Sequence, residues 1–260
     1  MKTFGAIARI KLASGFLLLP LCFWLFAGCQ GSKAKPLVIF AAASTQEPLR
    51  EIAQSFQTDT GIPVELSFEA SSTLARQIDK GAHADLFLSA DEDWASFLEK
   101  RGLVELKHDY LSNKLVVIVP VDSGLSLTTL SDLVSPQIHH VALAGEVVPA
   151  GRYARDSLRH ANAWERLKDR VLNADNVTAA VRYVAKAEAE AGIVYATDAL
   201  GNSKVQSILT IPDDFHQPIR YPLVKIRQDS PGPGRDRLYD YLLSDAAKEI
   251  FRHAGFGILP

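Results

Sequence analysis

The chain predicts an α/β protein whose sheets carry helices on both faces, folded as two lobes joined by crossing strands. Three observations lead there. Short β-rich runs alternate with amphipathic helical stretches from residue 37 onward. No internal repeat, low-complexity stretch or long linker divides the chain into domains in series. Small or hydroxyl residues stand where strands run into helices, in AAASTQEP (41–48), EASSTLARQI (69–78), EVVPAGRYA (146–154) and ADNVTAAV (174–181), and AGIVYATDA (191–199) sets a tyrosine at a similar junction.

The first 28 residues stand apart. Lys2, Arg9 and Lys11 precede an uninterrupted lack of acids and the apolar run 12–28, the layout of a signal peptide. A retained anchor is the alternative, but the run is short for a membrane span and Pro20 interrupts it. Removing this segment takes the formal net charge from −2 to about −5, which gives no general attraction to nucleic acid. Cys22 lies inside the run and Cys29 ends it, so the mature part holds no internal disulfide or cysteine-based metal cluster. The stretch LFAGC (25–29) resembles a bacterial lipobox, with Phe26 where leucine is commoner. Cys29 is therefore the expected lipidation site, and residues 29–36 form a short tether to the membrane face. The composition of the full chain, 47% hydrophobic and 22% charged, is that of an ordinary globular protein.

The elements follow in order. Leu37–Ala42 is a buried strand, and Ser44 with Glu47 forms a capping box for a helix burying Leu49, Ile52, Ala53 and Phe56 and ending at Gly61. A strand over 64–68 leads to a helix capped by Ser71 or Ser72 and closed by Gly81. A third strand, 85–89, precedes a helix that opens on Asp91, Glu92 and Asp93 and buries Trp94, Phe97 and Leu98. Further strands are Leu115–Pro120, Val141–Ala144, 192–195, 205–211 and 219–226. One long helix over 235–253 turns Leu238, Tyr241, Leu242, Ala246, Ile250 and Phe251 inward. The crossings between lobes are expected near 115–119 and 221–225, giving lobe 1 residues 37–117 and 224–260 and lobe 2 residues 118–223.

The junctions are the candidate site. A helix start exposes unpaired N–H groups and the positive end of the macrodipole, so several converging starts would bind a small dianion without Lys or Arg. Ser44 and Ser71 could each offer hydroxyl and amide, or simply cap their helices. Pro149-Ala150-Gly151 leaves amides accessible, Val177 follows Asp175 or Asn176 in a first turn, and Tyr195 ends an apolar strand. Catalytic readings find less support. There is no G-x-S-x-G elbow and no P-loop, and His139-His140 would point to opposite strand faces.

The motifs AAAS (41–44), SSTLARQIDKGAHADLFLSA (71–90), VPAGRYA (148–154), GIVYATDA (192–199) and AAKEIFRHAGFGI (246–258) resemble the periplasmic molybdate-binding proteins of the ModA family. The likeness runs in order over nearly all of 37–258. It implies a type II periplasmic-binding-protein fold, each lobe a mixed sheet flanked by helices, closing on an oxyanion in the interlobe cleft. It also implies no enzymatic activity, no cofactor and no free metal cation. The implied ligand is molybdate or tungstate, delivered to the permease of an ABC importer by an exported, monomeric protein held on the membrane by its lipid. Carried over by motif, the ligand-binding residues are Ser44, Ser71, Ala150, Val177 and Tyr195. The alternatives are a receptor for sulfate or another tetrahedral oxyanion, an enzyme on the same scaffold, and an anchored adhesion or sensing protein.

Overall fold

The computed structural model describes residues 35–260, so the expected signal segment, the expected lipidation site Cys29 and most of the expected tether lie outside the described residues. From the first of these, β1 (Leu37–Ala42), α1 (Gln46–Thr60), β2 (Val64–Glu69), α2 (Ser71–Asp79), β3 (Leu86–Leu88), α3 (Glu92–Glu99) and β4 (Val104–Ser112) follow one another. The chain then builds β5 (Leu115–Pro120), β6 (Val141–Ala144), α4 (Pro149–His160), α5 (Trp164–Leu167), β7 (Val171–Ala174), α6 (Val177–Ala185), β8 (Ala191–Tyr195), α7 (Ala196–Ala199) and β9 (Val205–Thr210). It returns through β10 (Arg220–Ile226), α8 (Arg235–Leu242), α9 (Asp245–His253) and β11 (Gly257–Ile258).

Two sheets result, a six-stranded one ordered β11-β4-β10-β3-β1-β2 and a five-stranded one ordered β7-β6-β8-β5-β9. They share a plan that the sequence does not reveal. In the first, β1 lies between β2 and β3, all parallel, with antiparallel β10 beyond β3. In the second, β6 lies between β7 and β8, all parallel, with antiparallel β5 beyond β8. The inner strands of each trio, β1 with β3 and β6 with β8, are apolar, as strands covered on two faces must be. Ile39, Leu86 and Leu88 are buried in one trio, and Ala142, Leu143 and Ile193 in the other.

The structure moves the crossings from where the sequence reading set them. Strand β5 pairs along its length with β8 and β9, beginning at Leu115 against Tyr195, so it is not shared at 117/118. Strand β10 pairs wholly within the first sheet, from Arg220 against Ser112 to Ile226 against Val104. The connections between sheets are therefore Asn113–Lys114 and the stretch between β9 and β10.

Other expectations also change. The final helix is two helices, because Ser244 caps α9 by accepting the Ala247 N–H and restarts the helical phase. Ala247 is consequently the buried alanine, while Ala246 faces solvent. Trp94 and Phe97 are only half-buried, each lying under an arginine, Arg76 and Arg101 respectively.

Candidate functional site

In open α/β sheets, ligands bind beyond the carboxyl ends of the parallel strands. Here the carboxyl ends of β1, β2, β6, β7 and β8 lead to Ser44, Ser71, Ala150, Val177 and Tyr195 respectively. All five line one small cavity with a volume of about 10 Å³, room for roughly one water molecule. Four of them are at most 4% exposed, and Ser44 is half-buried. The shared sheet plan explains the set. Ser44 and Ala150 follow the first strand of each trio, and Ser71 and Val177 follow the second.

Neither serine caps its helix, contrary to the capping-box expectation. Ser44 sits in a 3-10 turn, Ala43–Thr45, and α1 begins after Thr45 without a side-chain cap. Its Oγ lies 3.0 Å from the Tyr221 hydroxyl, and Glu47 is exposed. Ser71 is the first residue of α2, capped by Ala70 without a side-chain bond. Its Oγ accepts the Ala90 backbone N–H at 2.9 Å. That bond uses a lone pair of Ser71 and leaves its hydroxyl hydrogen free to point at a guest.

The other two helix starts offer main chain only. Pro149 opens α4, and Ala150 follows within the first turn, whose N–H groups have no intrahelical acceptor. Gly151 lets this turn press against β6, since a Cβ there would stand 2.2 Å from the Ala144 carbonyl oxygen and 2.3 Å from that of Gly145. Val177 opens α6, where Asn176 is the cap and accepts the Ala179 N–H at 3.0 Å. Of the two caps left open by the sequence, Asn176 is the one used.

Tyr195 is 1% exposed, and its hydroxyl has no hydrogen-bond partner in the protein. Burial, reinforced by Tyr221, Tyr153 and the carboxyls of Asp91 and Asp198, raises its pKa well above the ordinary value of 10. The group keeps its proton and can act as a donor. No Lys or Arg lines the cavity. Glu69 is the single carboxylate on its wall, and that side chain is exposed and accepts from Asn176 Nδ2 at 3.5 Å. The site therefore presents neutral donors under the positive ends of helices, a setting made for a small anion that carries no hydrogen.

Contacts beside this cavity join the α3 region to the segment that carries Ala150. Trp94 Nε1 donates to the Val147 carbonyl at 3.1 Å, and Arg152 pairs with Asp93 and lies 3.4 Å from Asp91. Asp91 is buried and caps α3 through the Trp94 N–H. Burial pushes its carboxyl up to about 6, against the lowering effects of that N–H and of Arg152. Behind Ser44, Asp198 has one oxygen shielded and without a partner, and burial pushes its carboxyl up to about 8.

Sequence reasoning missed Asn113, Tyr221 and Asp198. Nothing in the spacing marks the first two, whose importance arises only from pairing between distant strands. Asp198 belongs to the GIVYATDA motif, and the shielding of one of its oxygens is a signal that sequence alone does not carry. Among the described residues no group of three or more His, Cys, Asp or Glu could hold a metal ion. His139 and His140 are exposed, and both backbone N–H groups bond Glu190. No helix of the described residues is long and apolar enough to cross a membrane.

Comparison with known proteins gives consistent results. Residues 37–257 match the family model described as bacterial extracellular solute-binding protein. The molybdate-binding protein ModA of Escherichia coli (strain K12) is 35% identical, over 85% of this chain and 89% of its own. YvgL of Bacillus subtilis (strain 168), whose name describes a candidate ABC transporter substrate-binding lipoprotein, is 34% identical over 95% of this chain and 98% of its own. The solved periplasmic molybdate-binding protein of Azotobacter vinelandii superposes with a TM-score of 0.77 over 86% of this chain and 99% of that one. At 23% identity that likeness bears on the fold alone, which is the two-lobed α/β architecture of periplasmic binding proteins.

Proposed function

The chain belongs to the bacterial extracellular solute-binding protein family, with ModA proteins among its relatives, and from that premise we propose that it binds molybdate, and tungstate with it, as the extracytoplasmic receptor of an ABC importer. One observation carries the reading. Four helix starts and the unpartnered Tyr195 hydroxyl line a single small cavity with no Lys or Arg among its walls. Ser44 and Ser71 supply hydroxyl and amide, Ala150 and Val177 supply amides, and Tyr195 supplies its hydroxyl.

Molybdate and tungstate are fully deprotonated near neutral pH and offer acceptors only. Donors converging from the helix starts suit them, whereas a protonated phosphate needs an acceptor for its own hydrogen, and the one carboxylate on the wall, Glu69, is exposed and engaged by Asn176. The two bodies that close on the anion are the sheet of residues 37–112 with 220–258 and the sheet of residues 115–210. The Arg152 and Trp94 bridges hold the closed form. Outside the described residues, the signal segment exports the chain and a lipid on Cys29 keeps the monomer beside its permease. The protein acts as a carrier and not as an enzyme.

Titration calorimetry of the mature protein with molybdate, tungstate, sulfate and phosphate tests the reading. Tight binding of the first two at one per chain is expected, with little heat from the others. Comparable heats from sulfate would make the protein a general oxyanion receptor instead. The double variant Ser44→Ala/Ser71→Ala loses two bonds to a charged acceptor, each about 1.5–3 kcal/mol. Unchanged affinity in that variant overturns the site assignment.

A further inference from the structure

The Ser44 hydroxyl helps to hold a fully deprotonated anion only if it donates, and three contacts outside the cavity decide that. Asn113 lies on the connection between β4 and β5. Its Oδ1 accepts the Lys114 N–H at 2.9 Å, which fixes the orientation of the amide. Nδ2 must then face the other way. It donates to Thr197 Oγ1 at 2.9 Å and to the Tyr221 hydroxyl at 3.3 Å. An amide nitrogen cannot accept, so the Tyr221 oxygen is the acceptor in that bond.

Tyr221 is 0% exposed, and its other hydrogen-bond partner is Ser44 Oγ at 3.0 Å. If Ser44 donated to Tyr221, the tyrosine hydrogen would be buried without an acceptor, at a cost of about 1–3 kcal/mol. The satisfied arrangement sends the Tyr221 hydrogen to Ser44 Oγ. The Ser44 hydrogen is thereby left for the cavity. A register shift between Tyr221 and Pro222 in the β10–β4 pairing lies beside this side chain, the kind of irregularity that re-aims a residue at a functional site.

We infer that Asn113 and Tyr221 form a one-way hydrogen-bond relay that fixes Ser44 as a donor to the bound anion, and so sets the preference for fully deprotonated over hydrogen-bearing tetrahedral oxyanions. The inference rests on the proposed oxyanion function. Asn113 and Tyr221 touch Ser44 or each other, not the guest, and are positioning residues. Ser71 needs no relay, because the Ala90 N–H already occupies its oxygen.

The test compares molybdate with phosphate, which carries one hydrogen at about pH 8, by calorimetry on the mature protein and its variants. In Tyr221→Phe the Ser44 hydroxyl is free to turn and accept. Molybdate affinity is expected to fall about tenfold, while phosphate affinity holds or rises, so that the ratio of the two falls by at least as much. Asn113→Ala is expected to shift the ratio in the same direction, and combining it with Tyr221→Phe should add little. In a Ser44→Ala background Tyr221→Phe should change molybdate affinity less than about twofold, since no hydroxyl remains to be oriented. Equal weakening of both anions, or an undiminished Tyr221→Phe effect without Ser44, overturns the relay. Absence of molybdate binding by the unaltered protein overturns the proposed function and the relay with it. Unfolding curves of each variant separate loss of orientation from loss of fold.

Discussion

Ser71 and Tyr195 both aim a hydroxyl at the cavity, yet their removal should read out differently. Ser71→Ala strips the buried Ala90 N–H of its acceptor, so urea unfolding without anion should show a loss of about 1–3 kcal/mol on top of weaker binding. Tyr195→Phe removes a hydroxyl that has no partner in the protein. It should leave stability unchanged or raised while anion affinity drops by about 1.5–3 kcal/mol. Asp198 gives a third contrast. Its folded-state value, near 8, lies above the ordinary 3.8, so the protonated acid favours the fold. That advantage is complete below about pH 4, fades as the pH rises toward about 8, and is gone above it. Unfolding free energy measured across that window should slope downward in the wild type and be flatter in Asp198→Asn. All five cavity-lining positions were legible because each is announced locally, by small or hydroxyl residues or a tyrosine at a strand-to-helix junction. What Ser44 and Ser71 bond to was not legible, because Tyr221 and Ala90 come from other strands.

Each helix start is placed by something small and specific. Gly151 is the clearest, since α4 meets β6 closely enough that any side chain would collide with two carbonyl oxygens. Gly151→Ala should destabilise by about 1–3 kcal/mol and push the Ala150 amide out of position. Retained affinity in a folded variant would show that the amide does not contribute. Asn176→Ala removes the α6 cap and should destabilise by about 1 kcal/mol. The strands that sequence reading found were apolar runs such as LVIFAA and LVVIVP. It passed over β4, where VELKHDYLS intersperses charged residues among apolar ones, and β7, where VLNA is short and includes the exposed Asn173. It also merged α8 with α9, although Ser244 before Asp245 is a recognisable cap.

For the molecule as a whole, the bridges across the cavity carry a pH signature. Arg152 lowers the Asp91 carboxyl against burial, so their attraction exists only where Asp91 is ionised, above about pH 6. Arg152→Ala should therefore weaken the protein most near neutral pH and progressively less toward about pH 4, as unfolding at several pH values would show. The exposed Asp93 partner adds little, being screened by solvent. The two-lobed class was readable from alternating elements, while the matching strand plan of the sheets was not, because equal topology leaves no trace in unlike sequences.

That matching plan makes the cargo a keystone. Under the proposed function the cradle is divided between the two sides of the molecule, so a loaded receptor melts only after letting go. Its melting temperature should climb with the logarithm of molybdate concentration, reaching about 2.7 kcal/mol of added stability at a hundredfold excess over Kd. Unloading then requires that something pry the halves apart.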